Sequence, residues 1–543
     1  MTRIKSKPSV WQLALKICSI GLLPALTTYP AFGAERIKFN YGALERSIPI
    51  SSLESYAKTG KMDDEFASYS QYINKKQLSQ LRQTLLTPIK LNEVGVSQFL
   101  YTPIGERLLE TLGKVIQTES RLSGFYAIRS ALILAAADSN NFTLLNVLKK
   151  YPSRAISINL SQSLEIVNAL QKLANQTENA VALINQKFQQ KTTNNSGLNT
   201  LPLDLIKNGS FRFSKQSITL NDSTRNRTFP ADIYLPIAPT PRSIIIISHG
   251  LGSDRTSFAY LAEHLASYGF VVAVPQHPGS DSKQLQALLA GTADKVTNPR
   301  ELIDRPLDIK YLLDELTRLS NNSTFRGRLN LDQVGLIGQS FGGYTALALA
   351  GAKINFQQLQ ANCPTFENTL NISLLLQCLA INLPIGNYNL ADARIKAVIA
   401  INPVDSSIFG QASLSQIKIP VMIVSGSADT VTPALPEQIQ PFTWLTTPNK
   451  YLALINGGTH FSTIAESSDT VVSVPPQVIG SSPALARRYV KALSVPFFET
   501  YIVGQPSYLP YLNTDYVNKI SQQPLPLSLI KSLTTEQLEQ AFK

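Results

Sequence analysis

Three residues, in one order along the chain, could perform nucleophilic chemistry on a carbonyl. Ser340 lies in Gly338-Gln339-Ser340-Phe341-Gly342, a G-x-S-x-G match that follows the apolar run 334–337 and precedes the helix formers 344–350. A strand, a tight turn and a helix in that order lift a serine hydroxyl clear of a sheet, and the small residues on either side let strand and helix approach. A serine hydroxyl is a weak nucleophile unless a positioned base takes its proton, and histidine is the usual base. Of the four histidines, His249, His264 and His277 precede Ser340, and His460 follows it. Where the order is serine, acid, histidine, His460 is the base. The acid should leave a strand end between the two. Asp429, in Ser425-Gly426-Ser427-Ala428-Asp429, follows the strand pattern 421–425, and Asp405, after Asn402-Pro403-Val404, is the alternative. Asp429 is preferred because its turn delivers a carboxylate to a strand's carboxyl end, whereas Asp405 could merely cap a turn.

Attack on a carbonyl creates an oxyanion that needs backbone N–H donors. Ser248-His249-Gly250-Leu251-Gly252 follows a β-branched strand pattern at 243–248 and would supply one donor from Leu251, with the second from Phe341. Nothing in the pattern calls for a metal or an organic cofactor.

The elements that must position these residues change character along the chain. Residues 1–34 carry basic residues, then an apolar stretch, then Ala31-Phe32-Gly33, and read as a secretory signal peptide. Residues 35–174 show apolar residues at three- and four-residue spacing and read as an all-helical accessory domain. Residues 175–204, rich in Asn, Gln, Thr and Lys, read as a linker. From 205 to 543, strand and helix patterns alternate, which predicts a doubly wound, mostly parallel α/β sheet with an antiparallel hairpin first. Two long connections, 276–299 and 351–394, lie near the serine, and the second is apolar enough to fold over a pocket as a lid at about 352–394.

The segments 248–252, 265–274 and 338–343 resemble the platelet-activating-factor acetylhydrolase and dienelactone-hydrolase-like branch of the α/β hydrolases. The whole chain is similar to exported cyanobacterial α/β hydrolases with an N-terminal helical domain of unknown function. The resemblance implies an α/β-hydrolase fold and ester hydrolysis. Dienelactone hydrolases carry a cysteine where this chain has Ser340, which points away from their substrate. The animal plasma acetylhydrolases keep their acid one strand earlier, where this chain has Asn402, which favours Asp429.

Composition bounds the rest. A chain of 543 residues with 44% hydrophobic and 16% charged residues is globular and long enough for two domains. The net charge of +12 falls to about +8 without the first 34 residues, so contact with an anionic membrane is one expectation, while no basic-aromatic pattern suggests nucleic acid. Export, to a periplasm or beyond, would leave Cys363 and Cys378 in an oxidising compartment, where an even pair favours a disulfide. The expected activity is a serine esterase on a lipid-like or small acyl ester. An acyltransferase or peptidase with the same residues, or an inactive hydrolase fold that only binds, are the alternatives.

Overall fold

Runs of aliphatic and β-branched residues form the centre of a nine-stranded sheet in a computed structural model that describes residues 33–138, 142–192, 203–365, 371–466 and 476–543. Its strands are β5 (Phe213–Asp222), β6 (Arg227–Pro236), β7 (Arg242–Ser248), β8 (Val271–Pro275), β9 (Leu329–Gln339), β10 (Ile395–Ile401), β11 (Val421–Gly426), β12 (Lys450–Ile455) and β13 (Leu527–Ile530). The spatial order is β13-β12-β11-β10-β9-β7-β8-β6-β5. Neighbours from β12 to β8 are parallel, and the hairpin β5–β6 and the last strand β13 pair antiparallel at the two edges. Strands buried on both faces read as unbroken apolar runs, and Ile244 to Ile247 in β7 are all essentially inaccessible. At roughly 1.5–3 kcal/mol per fully buried aliphatic side chain, such runs hold the sheet's centre together.

The expected doubly wound sheet is therefore present. β7 and β9 are neighbours although β8 intervenes in sequence, so the connections leave their carboxyl ends in opposite directions. A crevice opens at such a switch point, and open α/β sheets bind ligands there. The loops after β7, β9, β11 and β12 all leave from this edge, with Ser248 paired to Gly338 and Gly426 to Ile455.

The chain divides into two compact units, residues 33–97 with 108–163 and residues 98–107 with 164–543. The first corrects the all-helical expectation. Beside its helices it has a four-stranded sheet, ordered β2 (Leu44–Pro49), β1 (Arg36–Tyr41), β4 (Ala155–Asn159), β3 (Ile116–Gln117). These strands are two to six residues long and carry Arg, Lys, Glu and Ser, so they lack the β-branched runs that announce a strand, whereas the helices between them are strongly periodic. Nor is the linker what its composition suggested. Helix α1 runs over Leu160–Thr192, and Ala180, Ile184 and Phe188, spaced four apart, are buried in the larger unit's core. Residues 1–32, which hold nearly all of the signal-peptide reading, and 193–202 of the linker lie outside the described residues. No helix among the described residues is long and apolar enough to cross a membrane.

Candidate active site

Ser340 is set by its backbone. It sits between β9 and helix α2 (Phe341–Leu349) with φ 56° and ψ −116°, a left-handed conformation that a residue with a Cβ adopts at a cost of about 1–3 kcal/mol. The turn is that tight because its flanks have no side chains. A Cβ on Gly338 would lie 1.9 Å from the Gly342 carbonyl oxygen, and one on Gly342 would lie 2.0 Å from that of Ser248. The two glycines thus allow α2 to start hard against β9 and β7.

His460 and Asp429 arrive on the loops after β12 and β11. The His460 Nδ1 lies 2.7 Å from Asp429 Oδ2. The Asp429 carboxylate also accepts from the amides of Val431 and Thr432, both at 2.8 Å, and from the Thr432 hydroxyl at 2.8 Å. So many donors hold a carboxylate in the acceptor role, so His460 donates from Nδ1, and in the neutral ring the lone pair is on Nε2. The neighbour facing that lone pair is the Gln339 side-chain amide, 3.3 Å away, which also donates to the His460 carbonyl at 3.3 Å. The structure thus brings His460 and Asp429 together, while no hydrogen bond joins His460 to Ser340.

Asn402, just past β10, bridges the neighbouring loops. It has φ 42°, accepts from the Gly426 amide at 3.0 Å and donates to the Thr459 carbonyl at 3.3 Å. The alternative acid, Asp405, is fully buried and makes no contact with His460. Its two carboxylate oxygens have no partner among the described residues, and burial, reinforced by Glu437, holds its pKa well above the usual carboxylate range.

Leu251 and Phe341 are the expected oxyanion donors. Phe341 opens α2, where the first N–H groups lack intrahelical acceptors, and Leu251 lies in the loop after β7. Neither N–H has a protein acceptor among the described residues. Cys363 and Cys378 are joined as a disulfide. They tie the helix Phe356–Asn362 to the helix Ser373–Gln377, while residues 366–370 between them lie outside the described residues. The apolar residues Leu374, Leu376, Leu379 and Ala380 of this insertion are buried. Gln377 accepts from the amides of Ser407 and Ile408 and donates to Glu437, so the insertion is pinned to the loop after β10. No cluster of metal-ligating residues occurs among the described residues.

The sequence reading missed the supporting residues. Thr432, three residues after Asp429, had a local signal in its Asp-x-x-Thr turn. Gln339 lay inside the motif itself. Arg305, on the helix α3 (Glu301–Leu319), had none, because its helix alternates charged and apolar residues as a solvated one would. In the fold Arg305 is fully buried, and burial pulls its pKa down to about 9, so it remains cationic at neutral pH.

Two stretches of the chain match family models. Residues 33–159 match one described as alpha/beta hydrolase of unknown function (DUF1400), and residues 215–305 match platelet-activating factor acetylhydrolase, isoform II. The second match includes the loop of Leu251 and ends at Arg305. With its nine-stranded sheet and its strained serine turn the chain has the α/β-hydrolase fold, and over residues 215–305 it is similar to the platelet-activating factor acetylhydrolases.

Proposed function

We propose that the protein is a serine carboxylic-ester hydrolase acting on a lipid-like or small acyl ester through an acyl-enzyme. The observation that carries this reading is the strained Ser340 turn set at the same sheet edge as a His460–Asp429 pair joined through the ring's Nδ1. The Ser340 hydroxyl oxygen attacks the ester carbonyl as its proton passes to His460 Nε2. The Leu251 and Phe341 amides hold the oxyanion, and His460 returns the proton to the departing alcohol. Water then attacks the acyl-Ser340 ester with His460 again as base, releasing the acid and restoring the serine. Asp429 keeps the imidazole in the required tautomer throughout. For the first proton transfer the Gln339 amide must yield Nε2 to Ser340, a tightening that is common when substrate binds.

The name of the acetylhydrolase model supports a short acyl group on a lipid. Export is part of the proposal, supported by the basic-then-apolar start of the chain and the Cys363–Cys378 disulfide. Peripheral contact with an anionic membrane rests on the net positive charge. A fluorophosphonate probe tests the chemistry, since an inactive fold stays unlabelled. Parallel assays on p-nitrophenyl esters and on phospholipids identify the substrate class.

A further inference from the structure

Beneath the loop of Leu251 lies a second serine, histidine and aspartate in hydrogen-bonded sequence, and the function above does not use it. Ser248 Oγ is 3.0 Å from His277 Nε2, and His277 Nδ1 is 3.0 Å from Asp308 Oδ2. All three are fully buried, so no substrate reaches them. Arg305 touches the same loop. Its guanidinium donates to Ser248 Oγ at 3.2 Å, to the His249 carbonyl, and to Ser280 Oγ at 2.9 Å, and its Nε donates to Thr345 Oγ1 at 3.2 Å. It also lies 4.5 Å from the centre of the Phe341 ring.

We propose that Arg305 is the positioning residue of the oxyanion site, joining the segment that carries the Leu251 amide to the helix that carries the Phe341 amide. The inference rests on the esterase reading of that site. On one side it grips Ser248 and the His249 carbonyl, three and two residues before Leu251. On the other it faces the Phe341 ring and Thr345, whose hydroxyl donates to the Phe341 carbonyl at 2.9 Å.

The distribution of charge separates this role from that of an ordinary buried ion pair. Arg225 and Arg227 donate directly to Asp308, and Arg227 to Glu301 as well. Arg305 contacts no carboxylate among the described residues, although it is the most deeply buried of the three arginines. A cation is costly to bury without an anion in contact, and Arg305 is sustained by Glu301 and Asp308 at longer range. Apart from the bond to Ser280, its donors are directed instead at the two segments that carry the Leu251 and Phe341 amides.

The proton positions follow without choice. Arginine has no lone pair, so Ser248 Oγ accepts from it and gives its own proton to His277 Nε2, and His277 Nδ1–H donates to Asp308. The His277 amide donates to His249 Nε2 at 3.1 Å, so His249 Nδ1–H donates to the Gly250 carbonyl at 2.8 Å. Every polar group named here thus has a partner, and together these bonds fasten the loop.

Arg305→Lys, which keeps the charge but loses the fork, and Ser248→Ala, a smaller change, test this with p-nitrophenyl acetate. Expected is a kcat about 10²-fold lower for Arg305→Lys, as for roughly 1 Å of misplacement, and about tenfold lower for Ser248→Ala, with KM within about twofold of wild type. The Ki of a trifluoromethyl ketone, which forms the oxyanion on the serine, should rise by the same factors. Circular dichroism checks folding, and if Arg305→Lys does not fold, Ser248→Ala decides. Folded variants with wild-type kcat, or with the loss falling on KM, overturn the inference while leaving the esterase reading intact. A wild-type protein that the fluorophosphonate does not label overturns both.

Discussion

Ser340, His460 and Asp429 sit at the carboxyl edge of the sheet with 5–6% of their surface exposed, and Ser248, His277 and Asp308 lie wholly buried, so the same three residue types occur twice in one fold. The buried set has the tighter serine-to-histidine contact, at 3.0 Å, whereas no hydrogen bond joins Ser340 to His460. What differs is how far each group's bonding capacity is already used. Ser248 ends an extended strand, accepts from Arg305 and donates to His277. Ser340 is held at φ 56° and has no hydroxyl partner among the described residues. Burial, with Arg305, Arg227 and Arg225 around it, pushes the His277 pKa well below the usual value, which weakens it as a base. Asp308 is bound by two arginines, while Asp429 is bound by amides and a hydroxyl that leave His460 as its one ring partner. A saturated set fixes a loop, and on the proposed esterase reading the unsaturated one offers a nucleophile and a base to substrate.

The largest effect that could break this comparison is at the two serines. Ser340→Ala and His460→Ala should each lower ester hydrolysis by roughly 10⁵–10⁶-fold with the fold unchanged, far beyond anything expected at Ser248. Near-normal turnover in either variant would remove the elbow from the mechanism. Next come the two aspartates. Asp429→Asn should lower kcat by about 10⁴-fold with little change in stability, because the histidine tautomer is lost. Asp308→Asn should instead cost about 3 kcal/mol in urea unfolding, because it leaves Arg225 and Arg227 buried and underpaired. If both variants lost only stability, Asp429 would not be the acid.

The elbow and its partners were legible because their signals are local. The run before Ser340, the two glycines and the helix formers fall within about fifteen residues, and the order of His460 after Ser340 needs no geometry. The nine-stranded sheet was legible except at β13, where four residues, Leu-Ser-Leu-Ile, are too few to show a period. The buried set could not be read, because Ser248, His277 and Asp308 come from three elements whose proximity depends on the order β9-β7-β8. In α3 the charges of Glu301, Asp304, Arg305 and Asp308 imitate a solvated face, and only the packing of β5, β8 and α2 around them makes them interior. The helix through 175–192 was a failure of weighting. Its Ala180, Ile184 and Phe188 had the right spacing, but the Asn and Gln between them suggested a linker.

A smaller effect belongs to the disulfide. The pair closes a loop of sequence separation 15, worth about 3 kcal/mol of chain entropy, in an insertion also fastened through Gln377. If the insertion covers the acyl site, reduction or Cys363→Ser should impair hydrolysis of long-chain esters more than of acetate esters. Equal losses on both substrates would show that it acts on stability alone.

The smallest effect, and the one with a distinctive sign, is at Asp405. Unlike Asp308 and Asp429 it has no donor among the described residues, and burial beside Glu437 raises its pKa well above the usual carboxylate range. In the unfolded chain an aspartate ionises near pH 4. Above that pH the native state binds one proton more than the unfolded state, so this residue's contribution to stability falls as pH rises, by about 1.4 kcal/mol per pH unit, until the raised native pKa is reached. Asp405→Asn removes that dependence while keeping size and polarity. The variant should match wild type below about pH 4 and become progressively more stable than wild type toward neutral pH, with kcat little changed. Thermal unfolding of both proteins from pH 4 to pH 8 measures the difference. A constant offset across that range would mean that Asp405 finds a partner in solution and is ionised in the native state.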